Sequence, residues 1–507
     1  EKRNSSEKQR TKPNVIAEIH NKENSKLVDI ISEKKALFIN IDEFSARIIA
    51  QTSILPGLPE VYVVILNFEN DEIYTFKNID DNISYKELLL KYNNASVIGF
   101  KKNIDEVSTQ NDSKDKEKLI NLNPERKYKI SSNDKIILIS QNDPSIKKGK
   151  PSLIETDIKE SVINNKELPF KTEKKTEKKP EKILILGWNS KIWTIITELD
   201  SYVGGKSDLK IISNNIDSDK LDDKNLKKLK NFNITIDTHD YSDYKYLKDK
   251  FTNKDLNRLI NKYLKNNHTN KDSNDKYINI DFKNKDFEKY LEDDDFKEYL
   301  KKKDFKSNIR DKNLESEDFY KYLKDKDFKK YRNIIILSDD RLNSQEADLK
   351  NIACLLYLRE IEKKILVKEN IKLYIVCELI YEKNQKLIEQ DSNNDFVISS
   401  RLTSLFLAQI SENTSRYHIF KQLFDDKGAE IYFRDARNFI EINHQYLYSD
   451  IVYIMSRYHN ETVIGYRKYK DKDEKDGKQE ASVHLNPNKD EDIIFDEKDQ
   501  IIVLASD

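Results

Sequence analysis

The segment Lys91-Tyr-Asn-Asn-Ala-Ser-Val-Ile-Gly-Phe-Lys-Lys102 recurs near the other end of the chain as Arg457-Tyr-His-Asn-Glu-Thr-Val-Ile-Gly-Tyr-Arg-Lys468. Each copy is followed by the tripeptide Leu-Asn-Pro, at 122–124 and at 485–487, and then by a short apolar run rich in isoleucine. Because a long-period repeat that keeps its turn residues is typical of a duplicated domain, the sequence predicts two copies of one module.

Residues further upstream extend this repeat in the same order. Ala50-Gln51 matches Ala408-Gln409, and Glu72-Ile-Tyr74 matches Glu430-Ile-Tyr432. Since a chain that carries a module twice usually uses the pair together, we expect the two copies to form an interface or part of a ring. We interpret the asparagine–proline pairs at 123–124 and 486–487 as turn chemistry.

The bulk composition limits the classes of function. At 507 residues the chain can hold two or three domains, but 37% hydrophobic and 36% charged residues place part of it outside any packed core. The net charge of −1 provides no field that would attract nucleic acid, so we predict no nucleic-acid partner. No apolar run is long enough to cross a bilayer. Cys354 and Cys377 lie within apolar runs, which indicates core positions and a reducing compartment.

An α/β domain follows the lysine-rich stretch 144–180, which we interpret as a solvated linker. Its first strand is the apolar run Lys182-Ile-Leu-Ile-Leu-Gly-Trp188, as expected of a strand buried on both faces. Strands and helices then alternate, which predicts a parallel sheet, with further strands at 209–213, 233–237, 333–337 and 371–376. The Lys/Asp/Asn-rich stretch from about 244 to 330 does not fit this alternation, and we interpret it as an insertion.

The turn after the first predicted strand keeps one glycine of the Gly-x-Gly-x-x-Gly dinucleotide pattern. Gly187 is present, whereas Asn189 and Ile192 carry side chains at the other two glycine positions. Asn214 stands where a carboxylate would hold the ribose. We therefore treat Gly187 and Asn214 as a degenerate nucleotide site, and the sequence disfavours NAD as a cofactor.

Catalytic motifs are missing from the sequence. It contains no His-x-x-x-His pair, no Cys/His cluster with zinc spacing, no P-loop lysine and no Gly-x-Ser-x-Gly. We accordingly predict no catalytic residues and expect a regulatory module rather than an enzyme.

Short motifs in both halves resemble the cytosolic part of the CASTOR/POLLUX ion channels. They are Pro56-Gly57-Leu58 and Glu72-Ile-Tyr74 in the first half, and Ile185-Leu-Gly-Trp188, Glu346-Ala-Asp348, Val376-Cys-Glu378 and Ser399-Ser400-Arg401-Leu402 in the second. Each motif is short, and their order along the chain is what makes the resemblance specific.

The resemblance implies a tandem pair of regulator-of-K⁺-conductance (RCK) modules. The expected fold class is α/β, with a Rossmann-like RCK N-lobe containing a parallel sheet and two small α+β RCK C-lobes. The implied division is the end of a first, truncated Rossmann lobe at 1–53, a first C-lobe at 54–143, the linker at 144–180, a second Rossmann lobe at 181–399 that includes the insertion, and a second C-lobe with connecting helices at 400–507.

The resemblance also implies a function and its partners. The chain is expected to be the ligand-sensing gating region of a cation channel that regulates monovalent cation transport. It would form a homo-oligomer, a tetrameric gating ring, at the cytoplasmic face of a membrane. The transmembrane pore region is expected to lie outside this chain, which would itself be soluble.

Calcium is the leading ligand that the resemblance suggests, and Ca²⁺ requires oxygen ligands. Just past the fourth predicted strand, where α/β ligand sites usually lie, the sequence offers a candidate Ca²⁺ site formed by Asp339, Asp340, Glu346 and Asp348. A second acidic group consists of Glu69, Asp71 and Glu72.

Three other functions stay open at this point. The first is a stand-alone RCK/KTN regulatory subunit of a K⁺ transporter, which an intact glycine motif would favour. The second is a Rossmann-type NAD-dependent oxidoreductase, which tight NADH binding would support. The third is an oligomerisation scaffold without a ligand.

Overall fold

A computed structural model describes residues 15–19, 36–69, 71–78, 80–103, 119–141, 178–214, 216, 226–238, 330–362, 373–385, 394–425, 428–469 and 481–505. These residues fall into two compact units, one drawn from 1–178, 191–202 and 400–507 and the other from 179–190 and 203–399. The predicted linker, except residues 178–180, and the predicted insertion, except Lys330, lie outside the described residues.

The first unit starts with two parallel strands and two helices. They are β1 (Val15–Ile19), β2 (Ala36–Asn40), α1 (Ile41–Ile54) and α2 (Leu58–Leu66). Asn40 caps α1, because its side-chain oxygen accepts a hydrogen bond from the backbone N–H of Glu43 at 3.1 Å. Helix α1 ends before Pro56-Gly57, and Gly57 adopts a left-handed conformation there with φ 90°.

The first repeated segment forms an antiparallel sheet with one helix, and we call it the first lobe. Its elements are β3 (Glu72–Lys77), β4 (Ile83–Ser84), α3 (Tyr85–Lys91), β5 (Ala95–Lys101), β6 (Ile120–Leu122), β7 (Lys129–Ile130) and β8 (Lys135–Ser140). The main sheet has the strand order β3-β8-β5-β6, and β4 pairs with β7. Ser84 and Glu87 form a reciprocal capping box that fixes the start of α3.

The α/β part of the chain contains β9 (Lys182–Leu186), α4 (Ile192–Tyr202), β10 (Ser207–Ile212), β11 (Phe232–Asp237), β12 (Asn333–Ile336), α5 (Ser344–Ile361), β13 (Tyr374–Leu379), α6 (Glu382–Gln385) and β14 (Asn394–Ile398). The six strands lie in the order β11-β10-β9-β12-β13-β14, and every pair is parallel. Counted from β9, this is the doubly wound order 3-2-1-4-5-6.

The predicted parallel sheet is thus confirmed, with two differences in its strands. The strand predicted at 371–376 is observed at Tyr374–Leu379, because the apolar run continues through Cys377 and the pattern does not mark where pairing begins. The sixth strand, β14, was not predicted from the sequence. Its first residue, Asn394, and the preceding Asn393 are typical of a loop.

The second repeated segment, with two preceding helices, returns to the architecture of the first. Its elements are α7 (Ser399–Glu412), α8 (Arg416–Leu423), β15 (Glu430–Asp435), β16 (Gln445–Leu447), α9 (Tyr448–Ile454), β17 (Thr462–Tyr469), β18 (Ala481–Leu485), β19 (Asp492–Ile494) and β20 (Gln500–Ala505). The strand order β15-β20-β17-β18, with β16 paired to β19, repeats that of the first lobe. We call β15 to β20 the second lobe.

A glycine at the same place in each lobe explains part of the repeated sequence. The pairing of β5 with β8 shifts register between Val97 and Gly99, and that of β17 with β20 shifts between Val463 and Gly465. A Cβ atom at either glycine would clash with the backbone oxygen of the facing strand, that of Asn121 or His484. The shared Val-Ile-Gly motif therefore encodes a β-bulge with a close backbone approach.

Candidate functional site: the reciprocal interface between the two lobes

The two lobes share one hydrophobic core within their unit. Buried side chains of the first lobe, among them Leu88, Phe100 and Leu138, belong to the same cluster as Val452 and Phe495 of the second lobe. Since apolar burial stabilises by roughly 25 cal/mol per Å², this shared core provides the main attraction between the lobes. Polar contacts at its edge then define how the lobes are aligned.

The Leu-Asn-Pro turns reach across from one lobe to the other. The Asn123 side-chain oxygen accepts a hydrogen bond from the Thr462 hydroxyl at 2.8 Å, and its amide donates to the carbonyl of Asn460 at 3.4 Å. At the equivalent place, Asn486 accepts from the Ser96 hydroxyl at 2.9 Å and donates to the carbonyl of Asn94 at 3.0 Å. The two turns exchange the same contacts in opposite directions.

Backbone conformation prepares both asparagines for this role. Asn123 and Asn486 are left-handed, with φ 49° and 47°. Asparagine tolerates this region better than most residues, and its short amide can bond locally. The sequence interpretation of these turns as simple turn chemistry was therefore incomplete, because their side chains hold the opposite lobe.

The repeated glutamines make a second pair of exchanged contacts. The Gln51 amide donates to Glu430 at 3.3 Å and to the carbonyl of Phe424 at 3.4 Å. The Gln409 amide donates to Glu72 at 3.4 Å and to the carbonyl of Leu66 at 3.2 Å. We call the four residues Asn123, Asn486, Gln51 and Gln409, with these partners, the reciprocal interface.

The two buried glutamates of the interface have different partners. Glu72 accepts from the Tyr74 hydroxyl at 3.0 Å and pairs with the guanidinium of Arg416 at 3.3 Å. Glu430 accepts from the Tyr432 hydroxyl at 2.8 Å and from the hydroxyl of Tyr202, the last residue of α4. Glu72 thus has the Arg416 guanidinium as a partner, whereas Glu430 has the phenol of Tyr202.

Helix α4 attaches to the interface through this phenol. Burial, with the nearby Glu430 and Glu198 carboxylates, raises the pKa of Tyr202, so its hydroxyl keeps its proton and acts as a donor. Arg47 of α1 pairs with Glu198 at 3.8 Å and with Asp425 at 3.2 Å. Helix α4 therefore ends on the reciprocal interface.

A buried lysine occupies the turn of the second lobe where the first lobe has an arginine. Arg126 lies 5.1 Å from the centre of the Tyr85 ring, and Lys489 lies 4.9 Å from the Tyr448 ring. Lys489 is 2% exposed, and its ammonium is 3.5 Å from the Ser96 hydroxyl. Burial lowers the pKa of Lys489 to about 7.

This lysine predicts a pH dependence of stability. Between pH about 7 and about 10, the unfolded chain binds the Lys489 proton and the folded chain does not, so stability rises with pH across this window. We expect the difference in free energy of unfolding between wild type and Lys489→Met to shift in favour of the wild type from pH 7 to 9.5. Urea unfolding at several pH values measures it. The exposed Lys498→Met is the control, and a difference independent of pH would contradict the assignment.

In the second unit, the carboxyl ends of the strands are held together by a buried polar network. Gly187 is left-handed, with φ 104°. The side chain of Asn189, at the second glycine position of the dinucleotide pattern, donates to the Ser338 carbonyl at 3.0 Å and to Glu378 at 3.1 Å. Glu378 is fully buried and also accepts from the Ser399 hydroxyl at 2.9 Å. These bonds tie Asn189 to residues at the carboxyl ends of the strands, beside the Gly187 turn.

Asn214 is the second residue of the predicted degenerate nucleotide site. Asn214 is exposed just after β10. The backbone N–H of Ser190, which an anion would use, instead donates to the carboxylate of Asp340 at 2.9 Å. The assignment of Gly187 and Asn214 as a degenerate nucleotide site stays a prediction.

The four carboxylates of the predicted calcium site have separate surroundings. Burial raises the pKa of Asp339, but hydrogen bonding by Arg341 and the charge of Lys350 outweigh it and hold that pKa below its usual value. Asp348 is fully buried and accepts from the backbone N–H groups of Ile380 and Tyr381.

The remaining acids do not complete a ligand set. Glu346 lies in the first turn of α5, and Asp340 is engaged with Ser190. In the second acidic group, Glu72 is engaged with Arg416, while Asp71 accepts from Asn486. Across the described residues no group of three or more His, Cys, Asp or Glu side chains could hold a metal ion. Calcium binding at these positions stays a prediction that this arrangement does not favour.

The parallel sheet and the duplicated antiparallel lobes define the class of fold, a mixed α/β fold. The structure is similar to that of the human SLO3 gating ring, with a TM-score of 0.56 and 12% sequence identity, over 97% of this chain and 80% of that chain. At this identity the likeness shows the shared fold.

Comparison with known sequences shows which protein family the chain resembles. A family model described as "Castor and Pollux, part of voltage-gated ion channel" matches residues 42–157. The chain is 23% identical over 483 residues to the probable ion channel POLLUX of Arabidopsis thaliana, which covers 90% of this chain and 47% of that protein. It is 21% identical over 481 residues to the ion channel DMI1 of Medicago truncatula, covering 89% and 44%. The predicted resemblance to the CASTOR/POLLUX ion-channel family is thereby confirmed.

The sequence match covers only part of each relative. The chain spans less than half the length of these two relatives. In the part of the chain that the structure describes, no helix has both the length and the apolar character needed to cross a membrane.

Proposed function

We propose that this chain is the ligand-sensing gating region of a CASTOR/POLLUX-like cation channel, which regulates monovalent cation transport. The observation that carries the proposal is the reciprocal interface, in which two copies of one lobe hold each other through the same contacts in both directions. Such a pair has a defined geometry, and a change in that geometry can be passed on as a mechanical movement.

The domain division predicted from the sequence is part of the proposal. Residues 1–53 would end a first Rossmann lobe, 54–143 and 400–507 would be RCK C-lobes, and 181–399 a second Rossmann lobe. The chain would assemble into a homo-tetrameric ring at the cytoplasmic face of a membrane, below a pore supplied by a transmembrane region. The matching segments of ion channels and the gating-ring fold support this assembly.

Gating requires a ligand that prefers one ring shape over another, because a ligand shifts an equilibrium only through its different affinities for the two states. The family resemblance makes Ca²⁺ the first ligand to test. Since the four predicted carboxylates do not converge, no gating step is assigned to them. Helix α4 is the structural candidate for coupling, because it starts after the Gly187 turn and ends at Glu430.

The test is a current recording from the complete reading frame that contains this chain, reconstituted in lipid bilayers. We expect cation currents whose open probability changes in the Tyr202→Phe variant, because this variant removes the hydroxyl that links α4 to Glu430, while unitary conductance stays the same. Recording with and without millimolar Ca²⁺ tests the ligand separately. Absence of current, or a Tyr202→Phe channel identical to wild type, would contradict the proposal. Tyr381→Phe, at a 41% exposed tyrosine, is the control.

A further inference from the structure

A cavity of about 310 Å³ opens beside the reciprocal interface. Val64 of α2 and Asp71 contribute to its wall from the first half of the chain, and Tyr466, His484, Pro487 and Glu491 contribute from the second. Its volume is at the lower end of the range of small-molecule sites. The cavity lies within one unit, so its walls belong to a single packed body.

Two carboxylates give the cavity its chemical character. Asp71 accepts one hydrogen bond from the Asn486 amide at 2.9 Å, and Glu491 accepts one from the Tyr466 hydroxyl at 2.9 Å. Each carboxylate can accept further bonds from a ligand, because it has about four lone-pair sites. The Tyr466 ring stacks on His484 with centroids 4.8 Å apart, which adds a flat apolar face. Burial raises the pKa of Asp71, and the hydrogen bond from Asn486 opposes this effect.

The first lobe provides an internal comparison, because different residues stand at the equivalent positions there. Tyr128 is the counterpart of Glu491, since both carbonyls accept from the first N–H of the lobe's helix, that of Tyr85 or Tyr448, at 2.9 Å. The Tyr128 ring stacks on Phe100, the counterpart of Tyr466, with centroids 4.7 Å apart.

Two further residues differ between the equivalent positions of the two lobes. Gln422 replaces Val64 and donates to the Ile120 carbonyl at 3.1 Å, and the buried Ala429 replaces Asp71. Tyr128 and Gln422 thus pack at the first-lobe position, whereas Glu491 and Asp71 line the cavity at the second-lobe position. The two carboxylates are specific to this position and do not follow from the fold that the lobes share.

The two carboxylates also affect a buried tyrosine near them. The Tyr448 side chain is fully buried, and its burial raises its pKa. The charges of Glu491 and Asp71, both in the cavity wall, add to this effect.

We propose that this cavity binds a small organic cation with a protonated aliphatic amine. The ammonium would bridge Asp71 and Glu491, and the alkyl chain would lie against the stacked Tyr466 and Val64. Anions are disfavoured by the two carboxylates, and the described residues offer too few ligands there for a bound metal ion. The proposal holds whether or not the chain regulates a pore.

The experiment is calorimetric titration of the full chain with putrescine. Two compounds of similar length serve as controls, the neutral 1,4-butanediol and the anionic succinate. We expect putrescine to bind at least tenfold more tightly than butanediol, succinate not to bind, and putrescine affinity to fall as salt rises. Putrescine binding no tighter than that of butanediol would overturn the proposal, and this comparison needs no variant.

Three variants locate the site. Glu491→Gln keeps the shape and removes one charge, so we expect at least tenfold weaker putrescine binding. Glu491→Tyr installs the residue of the first lobe and should abolish binding by filling the cavity. The exposed Glu497→Gln should bind as wild type does. Putrescine binding that is unchanged in Glu491→Gln would overturn the proposed location. Asp71→Asn replaces Glu491→Gln if circular dichroism shows that the latter does not fold.

Discussion

Replacing Arg416 by Met is expected to lower the free energy of unfolding of the two-lobe unit by about 3–5 kcal/mol, the usual cost of breaking a buried ion pair from one side. The Arg416 side chain is 4% exposed and pairs with Glu72, itself 9% exposed, at 3.3 Å. It also contacts Gln409 and Glu412. Without Arg416 the Glu72 carboxylate would stay buried beside Tyr74 and Gln409 with no cation to offset its desolvation.

Two further variants show whether the charge is the cause. Adding Glu72→Gln to Arg416→Met removes the stranded carboxylate and is expected to restore a large part of the loss. Arg437→Met breaks an exposed ion pair with Asp435, in which the arginine side chain is 59% exposed, and should cost about 0–1 kcal/mol. Urea unfolding followed by circular dichroism measures all three. A loss below about 1 kcal/mol for Arg416→Met would show that Glu72 finds compensation elsewhere.

Asn123→Ala and Asn486→Ala form the second large prediction, each expected to cost about 3 kcal/mol. About 1–2 kcal/mol comes from placing alanine at a left-handed residue. A further 1–2 kcal/mol comes from leaving the buried partners Thr462 or Ser96 and the facing backbone carbonyl without their bonds.

Glycine variants separate the backbone contribution from the hydrogen-bond contribution. Asn123→Gly and Asn486→Gly keep the left-handed backbone, so they should lose only the hydrogen-bond part. Asn443 is also left-handed, with φ 61°, but it is exposed, so Asn443→Ala should lose only the backbone part. If Asn123→Ala cost no more than Asn443→Ala in urea unfolding, the asparagine side chains would contribute nothing across the lobes.

The sequence predicted the parts of the fold that are marked by a long apolar run or by a repeated motif. The apolar run 182–186 predicted a strand buried on both faces, and the repeated Val-Ile-Gly and Leu-Asn-Pro motifs predicted a duplicated lobe. Strand β14 escaped prediction because a short apolar run after polar residues fits a loop equally well. Nothing in periodicity indicates which residues meet across more than 300 positions of chain, as Asn123 and Thr462 do.

A usable signal for the interface was nevertheless present. Gln51 and Gln409, Glu72 and Glu430, and Asn123 and Asn486 are identical polar pairs in a repeat that has otherwise diverged. Buried polar residues are costly unless they are bonded, so their identity in both copies indicates shared contacts. Read in this way, the sequence would have indicated the interface residues, although not that the contacts are exchanged.

The candidate calcium site stays a prediction, because closeness in the sequence does not by itself bring carboxylates together. Proximity in the sequence suggested that Asp339, Asp340, Glu346 and Asp348 converge. Glu346 and Asp348 are, however, two positions apart on α5, and such residues do not share a helix face. Asp339 is taken up by Arg341 and Lys350, partners that a linear motif does not reveal.

Double-mutant cycles across the Leu-Asn-Pro turns test most directly whether the two lobes are reciprocally paired. The cycles combine Asn123→Gly with Thr462→Val, and Asn486→Gly with Ser96→Ala, with free energies of unfolding measured in urea. Reciprocal pairing predicts a coupling of about 0.5–3 kcal/mol in each cycle, and none when Asn123→Gly is combined with Ser96→Ala. Zero coupling in both cognate pairs, or equal coupling in the crossed pair, would contradict it.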